Sequence, residues 1–191
     1  MNETLKRALS GAVYIILLLC CISYSQESLA ILFGVFLLIG VYEFCKIAAL
    51  NLYICLPIAA VSYYFFWNKS QDIILKTSIV SLSILISIKL LLYLFNTQKT
   101  NFKITTRYLL LMGYIIIPFI ITNYVAIGKN GYNPKILITI LILIWANDTF
   151  AYLVGKNFGK RKLFPSVSPK KTIEGFVGGM FFTIISSVLL S

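Results

Sequence analysis

The chain has 191 residues, of which 59% are hydrophobic and 12% are charged. Soluble domains carry about 25% charged residues and disordered chains have low hydrophobicity, so both classes are excluded. The mean hydropathy of +0.90 and the net charge of +11 instead indicate a polytopic membrane protein whose basic residues lie between apolar runs.

The apolar runs predict an all-α polytopic membrane protein with about seven transmembrane helices, since one span requires about 20 mostly apolar residues. In chain order the predicted spans are residues 9–24, 29–50, 52–67, 73–95, 108–127, 135–154 and 176–190. The first and third are short for a span. No repeat or linker interrupts the pattern, so we expect residues 1–191 to form a single transmembrane domain.

The amino-terminus admits two interpretations. Lys6 and Arg7 precede an apolar stretch, and Ser23-Tyr24-Ser25 forms a small-x-small pattern that suits signal-peptide cleavage. A second apolar run follows almost at once, which favours a retained helical hairpin over a cleaved leader.

The loop charges predict the orientation. With seven spans, 12 Lys and Arg residues lie on the side of the N-terminus, and four lie on the other side, namely Lys69, Lys76, Lys129 and Lys135. The positive-inside rule therefore places the N-terminus and the loop between the sixth and seventh spans in the cytoplasm. This bias also accounts for the basic balance without a nucleic-acid partner.

The histidine and cysteine content excludes several kinds of catalytic and metal site. The chain has no histidine, which excludes His-based acid–base catalysis, Ser-His triads and His-type zinc sites. The four cysteines form no CxxC pair and lie in or beside apolar runs, so we expect small buried hydrophobes.

Three acids lie near or inside the predicted spans: Glu43, Asp148 and Glu174. An acid at the bilayer centre costs about 2.5–3.5 kcal/mol, so such residues are functional candidates. Glu43 is interpreted as an interfacial residue at a helix end. On a helix Asp148 shares one face with Tyr152 and Gly155, which favours a functional site there over an ion pair with a lysine of the next loop.

The segment that follows predicts a phosphate site. Ser168 suits a helix N-cap and Pro169 the first helical position, which would put Lys170 and Lys171 in the first turn. Two lysines have the wrong sign for that end of the helix dipole unless an anion binds there. Thr172 would then add a directed donor at the cytoplasmic membrane surface.

Two further features complete the candidate site. Gly175 and Gly179 form a GxxxG pattern that predicts close helix packing. The carboxylate of Asp148 and the basic segment flank one short loop, and carboxylates hold magnesium, which in turn holds phosphates. This juxtaposition suggests phosphoryl or nucleotidyl transfer on a lipid substrate.

These residues resemble a known family. The string from Asp148 to Tyr152, then Gly155 and Gly159-Lys160, and above all Ser168-Pro169-Lys170-Lys171-Thr172-Ile173-Glu174-Gly175-Phe176-Val177-Gly178-Gly179, is similar to bacterial phosphatidate cytidylyltransferase, also called CDP-diacylglycerol synthase. Tyr42-Glu43-Phe44 also resembles an aromatic–Glu–aromatic feature of that family. The resemblance covers the amino-terminal and central part of the family's chain.

The resemblance implies an enzyme of phospholipid biosynthesis in the bacterial inner membrane. CTP and phosphatidic acid would give CDP-diacylglycerol and pyrophosphate, with Mg²⁺ required and K⁺ at a neighbouring site. Asp148, Lys170 and Lys171 would be catalytic, with Asp148 near the metal. The same resemblance assigns substrate binding to Ser168, Pro169, Lys170, Lys171, Thr172 and Glu174, the last of which would orient a lysine or help with the cation.

The chain also departs from the family. The closing family signature, with its His-Gly-Gly and Asp-Arg-x-Asp elements, is absent, so we expect a C-terminally truncated form, a fragment or half of a split protein. A non-catalytic remnant or subunit, and a related CTP-dependent polyprenol kinase, remain as alternatives. A transporter is disfavoured because no paired halves appear. Besides CTP, phosphatidic acid and membrane lipids, two protein partners stay open: a second copy of the chain, or a polypeptide that supplies the missing part.

Overall fold

The computed structural model describes residues 3–68, 73–95, 102–128 and 131–190. Lys69, Lys99 and Lys129, which enter the orientation count, lie outside the described residues. The elements in chain order are α1 (Glu3–Tyr24), α2 (Gln26–Ala48), α3 (Leu52–Asn68), α4 (Ile73–Phe95), α5 (Ile104–Leu110), a π-helical segment (Leu111–Ile116), α6 (Ile117–Val125), β1 (Ile127–Gly128), β2 (Gly131–Tyr132), α7 (Pro134–Phe158), β3 (Lys162–Phe164), β4 (Ser168–Thr172) and α8 (Ile173–Leu190).

The prediction of an all-α membrane fold is confirmed. A helical segment lies at each predicted span, because α5, the π-helical segment and α6 run on as one stretch, Ile104–Val125. Within the described residues, five helical stretches are long and apolar enough to cross a membrane, and the apolar helices Leu9–Tyr24 and Leu52–Trp67 are shorter, as the sequence indicates. Two short antiparallel hairpins, β1–β2 and β3–β4, were not predicted.

The chain contains two compact units, Met1–Pro134 and Lys135–Ser191. In the first unit, α2 begins with a capping box, in which the Ser25 and Ser28 hydroxyl groups accept each other's backbone N–H at 3.1 Å. The residue after the helix, the C-cap Ala49, adopts a left-handed conformation with φ 50°. Arg107 then donates from Nη1 to the carbonyl oxygen of Ala48 at 2.9 Å, so a cation covers the negative end of α2.

The core of the first unit joins α2 and α3 to the π-helical segment. Leu37 and Val41 of α2, Cys55 of α3, and Leu111 and Ile116 are each at most 1% exposed and belong to one cluster. The prediction of buried cysteines is confirmed for Cys45 and Cys55 but is wrong for Cys20, whose position on α1 leaves it exposed.

A series of hydrogen bonds crosses this apolar core. Asn123 of α6 donates from Nδ2 to the hydroxyl oxygen of Tyr63 at 2.8 Å, and that hydroxyl donates to the carbonyl oxygen of Ala30 at 2.9 Å. The three groups come from three helices, so the network ties α2, α3 and α6 together inside an apolar environment.

In the second unit, the predicted start of the last helix is wrong. Ser168–Thr172 is the strand β4, paired antiparallel with β3 in the register Lys162↔Thr172 and Phe164↔Ser168. A strand tolerates Pro169 at its edge. The N-cap is Thr172 instead of Ser168, because Thr172 Oγ1 accepts the N–H of Gly175 at 3.2 Å.

The later start of α8 removes the unfavourable placement of two lysines in the first turn of a helix. The first turn of α8 contains Glu174, which has the favourable sign for the helix dipole, and the two lysines lie on the preceding strand.

Candidate functional site

The site is built on a close approach of α7 and α8. A Cβ atom on Gly175 would lie 2.7 Å from the carbonyl oxygen of Ala151 and 3.0 Å from the Cα of Gly155. A Cβ on Gly179 would lie 2.9 Å from the carbonyl oxygen of Asn147. All three distances are below ordinary contact distances, so the GxxxG prediction of close helix packing is confirmed.

Thr172 lies at the centre of this contact. Its side chain is buried, and its Oγ1 would lie 2.8–3.0 Å from Cβ atoms built on Gly155, Gly159 and Gly175. We call these four residues the glycine joint. The absence of side chains at the three glycines lets Thr172 approach this closely, so β4 packs directly against α7 and α8. Larger residues at these positions would not fit.

Glu174 fastens the turn that leads from α7 into β3. Its Oε2 accepts the backbone N–H groups of Lys160 at 3.0 Å and Arg161 at 3.2 Å. The carbonyl oxygen of Arg161 in turn accepts the N–H of Ile173 at 2.9 Å. The carboxylate is therefore engaged in positioning the hairpin and is not among the groups that line the cavity described next.

A cavity of about 830 Å³ opens above the joint, between α7, the β3–β4 hairpin and the start of α8. Asp148 and Lys156 line it from α7, and Lys170 and Lys171 line it from β4. Thr172 forms part of the wall. The volume lies within the roughly 300–1,000 Å³ typical of small-molecule sites.

The charged lining of this cavity favours an anion. Three lysines, Lys156, Lys170 and Lys171, and one carboxylate, Asp148, line the cavity, and all four residues are exposed. The Nζ of Lys156 lies 5.9 Å from the ring centre of Tyr152, a cation–π distance that holds this lysine at the wall. Ammonium groups on separate elements can converge on one polyphosphate as point charges.

The structure brings together part of the predicted site. Asp148, Lys170, Lys171 and Thr172 line one cavity, although the lysines reach it from a strand. Ser168 and Pro169 begin that strand and are not among the lining residues. Glu43 lies exposed on α2 in the other unit.

Sequence reasoning missed Lys156 and Asn147 as lining residues. In the sequence, Lys156 is counted only among the basic residues that set the orientation. It lies eight positions after Asp148 and four after Tyr152, so all three residues lie on one helical face. This spacing could have predicted that Lys156 belongs to the site.

The lining residues fit a magnesium ion only in company with a nucleotide. Within the described ranges there is no cluster of three or more acidic, Cys or His side chains that could hold a metal. Asp148 provides a single carboxylate in the cavity, with the amide of Asn147 beside it in sequence. Mg²⁺ is commonly held by one or two carboxylates plus substrate phosphates and waters, so this donor set suits an ion that arrives with its nucleotide.

Comparison with known proteins decides the family. The profile described as "Cytidylyltransferase family" matches residues 5–191. The chain belongs to this family. The match covers both units, so the charged cavity of the second unit lies inside the family's shared region.

Curated members of the family give local similarity. The phosphatidate cytidylyltransferase of Aquifex aeolicus is 61% identical over 46 residues, which is 24% of this chain and 18% of that protein. The protein of the same name from Bacillus subtilis is 40% identical over 60 residues, 31% of this chain and 22% of its own length. The one from Rickettsia typhi is 33% identical over 116 residues, 61% and 49% of the two chains.

In these three comparisons the matched part of the chain spans less than half of each relative's length. No solved structure matches the chain.

Proposed function

We propose that this chain provides the nucleotide and lipid-phosphate site of a CTP:phosphatidate cytidylyltransferase. The observation that carries the proposal is the cavity lined by Lys156, Lys170, Lys171 and Asp148. The printed names of the relatives point to the same activity, and the family is one of cytidylyltransferases.

In the proposed reaction a phosphate oxygen of phosphatidic acid attacks the α-phosphorus of CTP. The new P–O bond joins the lipid phosphate to CMP, and the bond from the α-phosphorus to the oxygen bridging it to the β-phosphate breaks. Pyrophosphate leaves with that electron pair, and CDP-diacylglycerol is the product. No residue needs to form a covalent intermediate, so a chain without histidine has the residue types that the step requires.

The residues would act by positioning and charge neutralisation. Lys170 and Lys171, held by the glycine joint, would bind phosphate oxygens from one side of the cavity, and Lys156 would bind them from α7. Two negatively charged reactants repel each other in water, and three ammonium groups would offset that repulsion. Magnesium, held by Asp148 and the nucleotide phosphates, would supply further charge neutralisation. The potassium ion implied by the family resemblance would lie near the same phosphates.

The location of the cavity suits a lipid phosphate. The β3–β4 hairpin joins two candidate spans, α7 and α8, so the lysines of β4 lie where a chain leaves and re-enters the membrane. The surplus of basic residues on the side of this loop supports a cytoplasmic location, at the inner membrane of a bacterium. Cytosolic CTP and a membrane-bound phosphate would meet at that depth.

The test is transfer of radiolabel from CTP into chloroform-extractable lipid. Membranes containing the full chain as their sole added protein receive phosphatidic acid, magnesium and CTP labelled at either the α- or the γ-phosphate. We expect lipid label from α-labelled CTP, its loss in Asp148→Asn, and its retention in the control Glu43→Gln. Label that enters lipid from the γ-position would identify a CTP-dependent lipid kinase instead. Absence of lipid label from both forms of CTP would contradict the proposal for this chain.

A further inference from the structure

The loop between α7 and α8 has a second basic surface, separate from the cavity. Lys160, Arg161 and Lys162 are exposed, and none of them is among the cavity-lining residues. Two apolar side chains outside the cavity accompany them: Phe158 is 68% exposed and Val167 is 53% exposed. We call these five residues the outer basic patch. No acidic residue occurs between positions 149 and 173, so the loop has a strong positive bias.

The position of this patch follows from the elements on either side. The candidate span α7 ends at Phe158, and the candidate span α8 begins at Ile173. Both ends of the intervening loop are therefore tethered next to the lipid headgroups. Cations mixed with exposed aromatic and aliphatic side chains are typical of segments that lie in this interface, because the apolar groups reach the acyl boundary and the cations reach the headgroups.

The side chains of the patch are not needed to build the turn itself. Lys160 and Arg161 use their backbone N–H groups to bind Glu174, at 3.0 and 3.2 Å, and Arg161 uses its carbonyl oxygen to accept from Ile173. The backbone thus fixes the turn, and the side chains of Lys160, Arg161 and Lys162 remain exposed. Removing these charges by glutamine substitution would leave the backbone hydrogen bonds in place.

We propose that the outer basic patch binds the headgroups of anionic phospholipids and enriches them around the loop, independently of the lipid that reacts. Each Lys or Arg near an anionic membrane surface contributes about fivefold to binding, so three cations can contribute about a hundredfold. Contacts of this kind are screened by salt over about 10 Å, so the enrichment falls at high ionic strength. The proposal does not depend on the reaction assigned to the cavity.

Selective quenching tests the proposal without any turnover. The full chain is placed in nanodiscs with an environment-sensitive fluorescent amino acid at Ser166, which is exposed in the hairpin turn next to Val167. The discs contain equal mole fractions of phosphatidylglycerol and phosphatidylcholine, with bromine on the acyl chains of one lipid or of the other. The quenching ratio between the two preparations measures the local excess of anionic lipid.

We expect several-fold stronger quenching by the brominated anionic lipid, and equal quenching in the variant Lys160→Gln/Arg161→Gln/Lys162→Gln and at high salt. The matched control removes three exposed cations elsewhere, with Lys46→Gln/Lys89→Gln/Lys103→Gln, and retains the preference. Equal quenching in the unmodified patch, or a preference that survives the triple substitution, would overturn the proposal. A preference abolished by added CTP would also overturn it, since the patch would then belong to the nucleotide site.

Discussion

Substituting alanine for Gly159 tests whether the glycine joint sets the geometry of the cavity. A Cβ at this position would overlap the carbonyl oxygen of Gly155 and lie 2.7 Å from Thr172 Cγ2 and 2.8 Å from Thr172 Oγ1. One obstacle is backbone, which cannot rotate away, and the other is the buried residue that caps α8. The added methyl group therefore displaces β4 or separates it from α7.

The cost follows from overpacking. Inserting a methyl group into a closely packed site costs about 1–3 kcal/mol. Gly159 lies just beyond the end of α7 at Phe158, so alanine gains no helix propensity there to offset this cost. With three close contacts at once we expect about 2 kcal/mol, which corresponds to a fall of about 4–8 °C in the melting temperature of a chain of this size.

Thermal unfolding of the detergent-solubilised chain, followed by circular dichroism, measures the change. Gly11→Ala is the matched control, because no atom lies within 4 Å of a Cβ built there. In α1 it should leave the melting temperature unchanged or raise it, since alanine in a helix is favoured over glycine by about 0.5–1 kcal/mol. CTP affinity should fall in Gly159→Ala and remain in Gly11→Ala. A melting temperature of Gly159→Ala equal to that of the wild type would refute the close packing at Gly159.

Three further predictions concern single side chains. Thr172→Val keeps the shape of the side chain but removes the cap on α8, so thermal unfolding should show a loss of about 1 kcal/mol, and an unchanged melting temperature would contradict the capping role. Glu174→Gln weakens the charge-assisted bonds to the turn and should raise the KM for CTP more than it lowers kcat, whereas Glu43→Gln should alter neither parameter. Tyr63→Phe removes the hydroxyl between Asn123 and α2 and should destabilise the chain by about 0.6–1.7 kcal/mol with CTP affinity unchanged; a selective loss of CTP binding would argue against a purely structural network.

The sequence predicts the helices well because each is a long apolar run bounded by basic or small polar residues. Seven spans follow from length and hydropathy alone, and the structure has a helical segment at each. The sequence also predicts that Asp148 and Tyr152 share a helical face, because residues four apart lie on one side of a helix. Both residues line the cavity.

The segment Ser168–Thr172 shows where sequence reasoning fails. Ser168 and Pro169 match a helix start, so local propensity places the cap of α8 at Ser168. Pairing with Lys162–Phe164 and burial of Thr172 among three glycines move the cap to Thr172. Both are tertiary effects that a linear pattern does not contain. The role of Glu174 was hidden for the same reason, because its partners lie 13 and 14 positions earlier in the chain.

Calorimetric titration of the full, detergent-solubilised chain with CTP and magnesium shows whether the lysines of the cavity bind the phosphates of CTP. We expect Lys156→Gln/Lys170→Gln/Lys171→Gln to weaken binding by at least about 100-fold, since a hydrogen bond to a charged group contributes about 1.5–3 kcal/mol. The control Lys46→Gln/Lys89→Gln/Lys103→Gln, which removes as many charges elsewhere, should bind CTP like the wild type. Equal affinity in the cavity variant and the wild type would mean that these lysines do not bind the nucleotide.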